Sequence, residues 1–285
     1  MNKEFALIGA SRAGVSLAYH LVKKGYRPAY CWNRNVKKYS LIRKYIEFDR
    51  FLGSLEKVEI PPRIVIIAVS DDAIKKIASR IALSWRKLDG VTAFHISGAL
   101  SSDVLSLLAE KGANTGSFHP FVSIPDIETG IKRIPDTIFT CEGEVASFLQ
   151  GIAKEIGKDG IIVTARQKAF LHVTAVFLSN YVVTMVSEIK DVLEKEGLTR
   201  VDLENLLLPM VKEAGGTALK RRFIEAITGP IVRQDEETIK KHLQLLSGNK
   251  RLKELYKVFG KITCEKIVDS GQENHLHSLF EAVKG

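Results

Sequence analysis

The chain has 285 residues, 45% hydrophobic and 26% charged, with 21 glycines. These proportions exclude collagen, coiled-coil and disordered classes, and at about 150 residues per domain the length suggests two domains. The net charge is +9, with 12 Lys and Arg against 5 Asp and Glu in residues 1–60, but no RNP signature, Cys/His finger or aromatic-interleaved basic tract accompanies it. Nucleic acid is therefore not the expected partner, and the excess serves an anionic small ligand or solubility alone.

The first half alternates short β-like runs with helical patterns. Glu4–Ile8 is an apolar strand ending in Gly9. Gly14, Leu17, Ala18, Leu21 and Val22 then mark one face of an amphipathic helix closed by Gly25. Arg27–Trp32 reads as a second strand, and the branched run Arg63–Val69 as a strand buried on both faces of a parallel sheet. A helix is expected from Asp72 to Trp85, capped by Asp71 or Asp72. Further strands are expected at Val91–Ile96, Asn114–Phe118, Asp136–Cys141 and Ile161–Thr164, with helical segments at Ser102–Lys111 and Glu144–Ile156. From Ala165 to Glu196 one long helical pattern runs without Pro or Gly, and only helices follow. The predicted fold is α/β: a Rossmann-like, doubly wound, mostly parallel sheet over residues 1–164, then an all-helical domain over 165–285.

Cys31, Cys141 and Cys264 are far apart and lack metal or CxxC spacing, which fits the reduced thiols of a cytoplasm. No apolar run reaches the ~18 residues of a membrane helix, and the opening MNKEFALIGAS is too short and unflanked for a signal peptide. Neither a membrane nor secretion is expected.

Gly9, Ala10, Ser11, Arg12, Ala13 and Gly14 join the first strand to the first helix, where the dinucleotide fingerprint G-x-G-x-x-G belongs, with Ser11 at its middle glycine. The outer glycines permit the tight turn and the close packing of helix on strand. The helix N-terminus presents N–H groups to a pyrophosphate. About 20 residues on, where an NAD site would place an acidic residue for the ribose, stand Asn33 and Arg34, with Lys37 and Lys38 beyond. A guanidinium there suits a 2′-phosphate, so the expected cofactor is NADP.

Together with this loop, the segments AVSDDAI at 68–74, HISGAL at 95–100, FHPFVS at 118–123, HVTAVFLSNY at 172–181 and TGPIVRQD at 228–235 carry a family likeness. The chain resembles Rossmann-like NADP oxidoreductase-type proteins with a helical C-terminal domain of unknown function. Those proteins are related to ketopantoate reductase, pyrroline-5-carboxylate reductase and the 6-phosphogluconate dehydrogenase superfamily. The resemblance implies NADP on the first domain, with Ala68, Val69 and Ser70 beside it, and a homodimer built by the second domain around it. Two departures stand out. Gln234 occupies a place where the family usually shows glycine, and the superfamily's catalytic lysine has no clear counterpart at the matching helix position.

A nicotinamide reductase needs a proton donor and groups that polarise a carbonyl or imine. Ser97 and His119 fall at strand ends, on the carboxyl edge where such folds place ligands. His172 and Asn180 sit in an apolar stretch of the long helix, their directions differing by roughly 80° if it is regular. The same residues also read as buried groups satisfying neighbouring backbone. Arg233 reads as a substrate or partner anchor, or as a surface ion pair. The remaining histidines, His20, His242, His275 and His277, show no ligand spacing, so no metal is expected. The leading reading is an NADP-dependent reductase of a small carbonyl or imine; the competing one is a dinucleotide-binding sensor or scaffold without turnover.

Overall fold

The computed structural model describes residues 3–58 and 60–280. The chain divides into two compact units, Met1–Ser179 and Asn180–Gly285.

The first unit is an eight-stranded sheet in the order β3-β2-β1-β4-β5-β6-β7-β8. Its strands are β1 (Glu4–Ile8), β2 (Arg27–Trp32), β3 (Arg50–Leu52), β4 (Ile64–Ile67), β5 (Thr92–His95), β6 (Asn114–Pro120), β7 (Ile138–Gly143) and β8 (Asp159–Ile162). All neighbouring pairs are parallel except β6 and β7. The helices of this unit are α1 (Arg12–Lys23), α2 (Tyr39–Arg43), α3 (Asp71–Ser84), α4 (Ser106–Ala109), α5 (Ile127–Arg133), α6 (Ala146–Ile156) and α7 (Ala165–Ala175). They cover both faces of the sheet. In β1, Phe5 and Leu7 enter one apolar cluster while Ala6 and Ile8 enter the other, and β4 divides Ile64 and Ile66 from Val65 and Ile67 in the same way. Side chains alternate across a strand, so a run apolar at every position needs two covered faces.

Several expectations shift. The cap of α3 is Ser70, in extended backbone, and Asp71 and Asp72 are the first two residues of the helix, where carboxylates favour the dipole. Ser102–Lys111 folds as a 3₁₀ turn, Ser102–Leu105, followed by the single turn α4. The short elements β3, α2 and α5 were not anticipated.

The second unit contains α8 (Val182–Lys195), α9 (Arg200–Lys220), α10 (Phe223–Ala226), α11 (Glu236–Leu245) and α12 (Lys250–Asp269). Its small core joins Ile239, Cys264, Leu276 and Phe280. Gly260 lets Phe280 lie on α12, because a Cβ there would meet the ring at 2.3 Å. The cysteines are all buried as free thiols, Cys31 and Cys141 in the sheet and Cys264 in α12. Burial pushes the first two up to about 12 and raises the third.

The long helical pattern forms, but not as one regular α-helix: between α7 and α8 the residues Val176–Tyr181 wind as a π segment. The wider i→i+5 turn rotates each residue less than an α-helix does, so the offset assumed for His172 and Asn180 does not apply. Ala165–Lys195 is also long and apolar enough, by length and composition, to cross a membrane, with a mean hydropathy of 1.6 over its best 18 residues and none of that window buried. The earlier expectation looked for unbroken apolar runs, whereas Lys168 and Glu188 here bound 19 uncharged residues with scattered polar ones.

Candidate functional site

Gly9 has φ 101°, a left-handed conformation that favours glycine, and a Cβ on it would lie 2.5 Å from the Ala68 carbonyl oxygen. A Cβ on Gly14 would meet the Ala68 methyl at 2.3 Å. The two glycines therefore let β1, α1 and the end of β4 close on one another. Ser11 is the N-cap of α1: its Oγ accepts from the Gly14 N–H at 3.1 Å, and its own N–H reaches the Ala68 carbonyl at 3.2 Å. Ala10, Ser11, Arg12 and Ala13 are at least partly exposed. Among the described residues, the N–H groups of Arg12 and Ala13 have no acceptor. A helix start with open N–H groups is an anion seat. The donor set fits a pyrophosphate.

Beyond β2, the Tyr39 hydroxyl donates to the Leu52 carbonyl at 2.6 Å and accepts from the Asn33 N–H at 3.0 Å. The Asn33 amide folds back to the Asn35 carbonyl at 2.8 Å. This bracing leaves Arg34 exposed, with no ion pair among the described residues. At the end of β4, Val69 packs against Gly9 and Ser70 turns the chain into α3.

The second half of the site gathers at the ends of β5 and β6. His95 is fully buried. Its Nε2–H donates to the Ser101 carbonyl at 3.0 Å, and its Nδ1 accepts the Ser97 N–H at 3.2 Å. Ser97 Oγ accepts from the N–H groups of Ala99 and Leu100, both at 3.1 Å, folding residues 97–100 into a tight turn. His119 donates from Nδ1–H to the Ile96 carbonyl at 3.0 Å, which leaves its Nε2 lone pair free. Burial pulls both His95 and His119 down to about 4, so both are neutral near pH 7.

Gly98 decides how closely these groups meet. A Cβ there would stand 2.8 Å from His119 Nε2 and 2.9 Å from His172 Nδ1, so only glycine lets both imidazoles close on the turn. Lys168, one helical turn before His172, was missed by sequence reasoning. Its side chain is 1% exposed, and its Nζ donates to the Ser97 carbonyl. Burial pulls the ammonium down to about 8, against the opposing pull of the Glu142 and Asp71 carboxylates. The spacing of Lys168 and His172, four residues apart and so on one side of a helix, was the signal available in the sequence. Ser97, His119 and His172 thus come together, with Lys168 and His95 behind them.

Asn180 does not join this group within the first unit. It is exposed and is the first residue of the second unit. In the second unit Asp235 caps α11, accepting from the Thr238 N–H at 3.1 Å. Gln234 holds φ 54°, the one described non-glycine residue in the left-handed region, which accounts for the glycine usual there in the resembled family. No three His, Cys, Asp or Glu side chains gather as a metal site among the described residues.

Residues 137–263 match the family model described as a domain of unknown function, DUF2520. No curated protein matches the sequence. A Bacteroides fragilis protein described as an NADP oxidoreductase is similar in structure, with a TM-score of 0.74 at 23% identity over 92% of this chain and 98% of its own. The chain has the fold of that protein, a mostly parallel Rossmann-like sheet followed by helices. Two further structures share this fold. A reductive aminase from Aspergillus terreus, in complex with NADPH and ethyl levulinate, gives a TM-score of 0.69 at 17% identity over 98% of both chains. An imine reductase from Myxococcus stipitatus, in complex with NADP+, gives 0.71 at 14% over 94% of this chain and 95% of its own. The DUF2520 stretch takes in Glu142, Lys168 and His172.

Proposed function

We propose that the protein is an NADP-dependent oxidoreductase that reduces a small carbonyl or imine compound by hydride transfer. The observation that carries this reading is the meeting of His119 and His172 over Gly98 at the ends of β5 and β6, in a sheet whose first turn keeps the open N–H groups of a pyrophosphate seat. Gly9–Gly14 would hold the pyrophosphate, Asn33 and Arg34 the ribose and its 2′-phosphate, and Ala68, Val69 and Ser70 the adjoining wall. When bound, the nicotinamide supplies the hydride. His172, partly exposed and facing the turn, gives the proton to the substrate oxygen or nitrogen. Neutral His119 accepts at Nε2 and cannot be the acid. Ser97 shapes the turn, and Lys168, too buried to touch substrate, holds the Ser97 carbonyl. Asn180 enters as a substrate contact on sequence grounds alone. The cofactors and keto ester held by the similar structures support the substrate class.

The protein is further proposed to act as a cytoplasmic homodimer built on its helical unit, where Val183, Val201, Leu206 and Met210 are each more than half exposed. The same assembly would cover the apolar surface of Ala165–Lys195 without a membrane.

The test is a panel of keto acids, keto esters and cyclic imines scored by NADPH oxidation, with His172→Gln beside the wild type. General acid catalysis contributes 10²–10⁴-fold, so the variant should lose about that much rate and keep its NADPH affinity. NADPH binding without turnover on any substrate would favour a sensor, and absence of NADPH binding would overturn the reading. A variant that melts earlier but keeps its rate per folded molecule would remove His172 as the acid.

A further inference from the structure

We propose that Glu142 is a positioning residue that works with Lys168: the two buried, opposite charges grip the loop Ser97–Ser102 at its two ends and fix Gly98 beneath His119 and His172. The inference rests on the site proposed above and gives its supporting layer.

The sheet register brings the parts together. His95 on β5 is beside Ser117 on β6, and Ser117 is directly opposite Glu142 on β7. Partners in register point to the same face, so the three side chains form one row under the loop. Glu142 Oε2 accepts from the Ser102 N–H at 2.8 Å, and its Oε1 from the Ser102 hydroxyl at 2.9 Å. The other end of the loop is held at Ser97, whose carbonyl takes the Lys168 Nζ. Between the two grips, His95 ties both Ser97 and Ser101.

The charges themselves require an explanation. Among the described residues, Glu142 is the only buried carboxylate and Lys168 the only buried ammonium, at 6% and 1% exposure. No described cation lies within salt-bridge distance of Glu142, so Ser102 satisfies its oxygens and the charge acts through space. Helix α7, which carries Lys168, packs against β7, which carries Glu142. A buried charge persists only when paired or hydrogen-bonded, and each supplies what the other lacks. The remaining groups that act on Lys168 and its neighbours are Asp71 at the start of α3, which also favours the ammonium, the neutral imidazoles of His95 and His119, and His172 on α7 itself.

The experiment is a pH titration of the full-length protein labelled at the lysine ε-carbon, followed by NMR, with the Lys168 resonance assigned by its loss in Lys168→Met. The wild-type resonance should titrate near 8. Glu142→Gln keeps the shape and the acceptor to Ser102 and removes the charge; it should lower the Lys168 midpoint so that proton affinity falls about tenfold. An unmoved midpoint overturns the proposal, even if the variant melts earlier, because a purely structural role would cost stability alone. Should Glu142→Gln fail to fold, Glu142→Ala, which removes the charge and leaves room for water beside Ser102, is read in its place: a lowered Lys168 midpoint supports the coupling and an unmoved one overturns it. NADPH affinity, measured by calorimetry on the same samples, separates the two readings. Loss of NADPH binding in the wild type would defeat the reductase and leave the lysine titration to decide this inference.

Discussion

Arg34 is exposed at the end of β2 while its neighbours are tied down by Tyr39 and by the Asn33 amide. A charge-assisted contact from a guanidinium to a phosphate contributes about 1–3 kcal/mol. Calorimetry should therefore show NADPH binding about 5- to 150-fold more tightly than NADH, and Arg34→Ala should erase most of that gap. Equal affinities in the wild type would contradict the assignment. The glycine loop and Arg34 were legible because their meaning is local: a strand, a turn and a helix in sequence, then a charge where an acid would stand. Lys168 was not. Its neighbours suggest an ordinary helical lysine, and its burial arises from the Ser97 carbonyl, 71 residues away in the chain, which no local pattern encodes.

At the scale of elements, the strand ends of β5 and β6 carry a pH dependence. His95 and His119 titrate at about 4 in the folded chain and near 6.5 when free. The unfolded chain binds protons more readily between those values, so stability is full above about 6.5 and is lost as the pH falls toward 4. For His95, which is fully buried, the loss should be on the order of 2–3 kcal/mol. Urea unfolding followed at pH 7, 6, 5 and 4 measures it, and a midpoint that stays constant across the series would show that neither ring is buried neutral. The strands that read well from sequence are those with a local mark, β1 as an apolar run ending in Gly9, β2 opening just after Gly25 and β4 as an unbroken branched run. β3 has three residues, and α2 and α5 have five and seven, too few for a period to emerge. The π segment was invisible for another reason: it changes which carbonyl each N–H reaches, and hydropathy carries no trace of that.

For the whole molecule, the two units differ in how they bury apolar surface. The sheet unit is covered on both faces, whereas among the described residues the helical unit has a four-residue buried cluster and large apolar side chains on its surface. Exposed apolar area of that kind marks an association surface, and closed two-fold dimers are the commonest outcome for soluble chains. Light scattering at micromolar concentration in detergent-free buffer should return twice 31.7 kDa. A monomer mass would defeat the dimer, and a protein recovered only in detergent would point to a membrane for Ala165–Lys195.

The three buried thiols make the chain its own recorder of local opening. A thiol held at high pKa inside a core reacts with alkylating agents only when its surroundings open, and the cysteines are distributed two to the sheet and one to the helical unit. Brief pulses of alkylation in sub-denaturing urea, read by mass spectrometry, would time the exposure of each part without any engineered label. Cys264, in the smaller core, should be marked well before Cys31 and Cys141. Simultaneous marking of all three would mean that the chain opens as a single cooperative body.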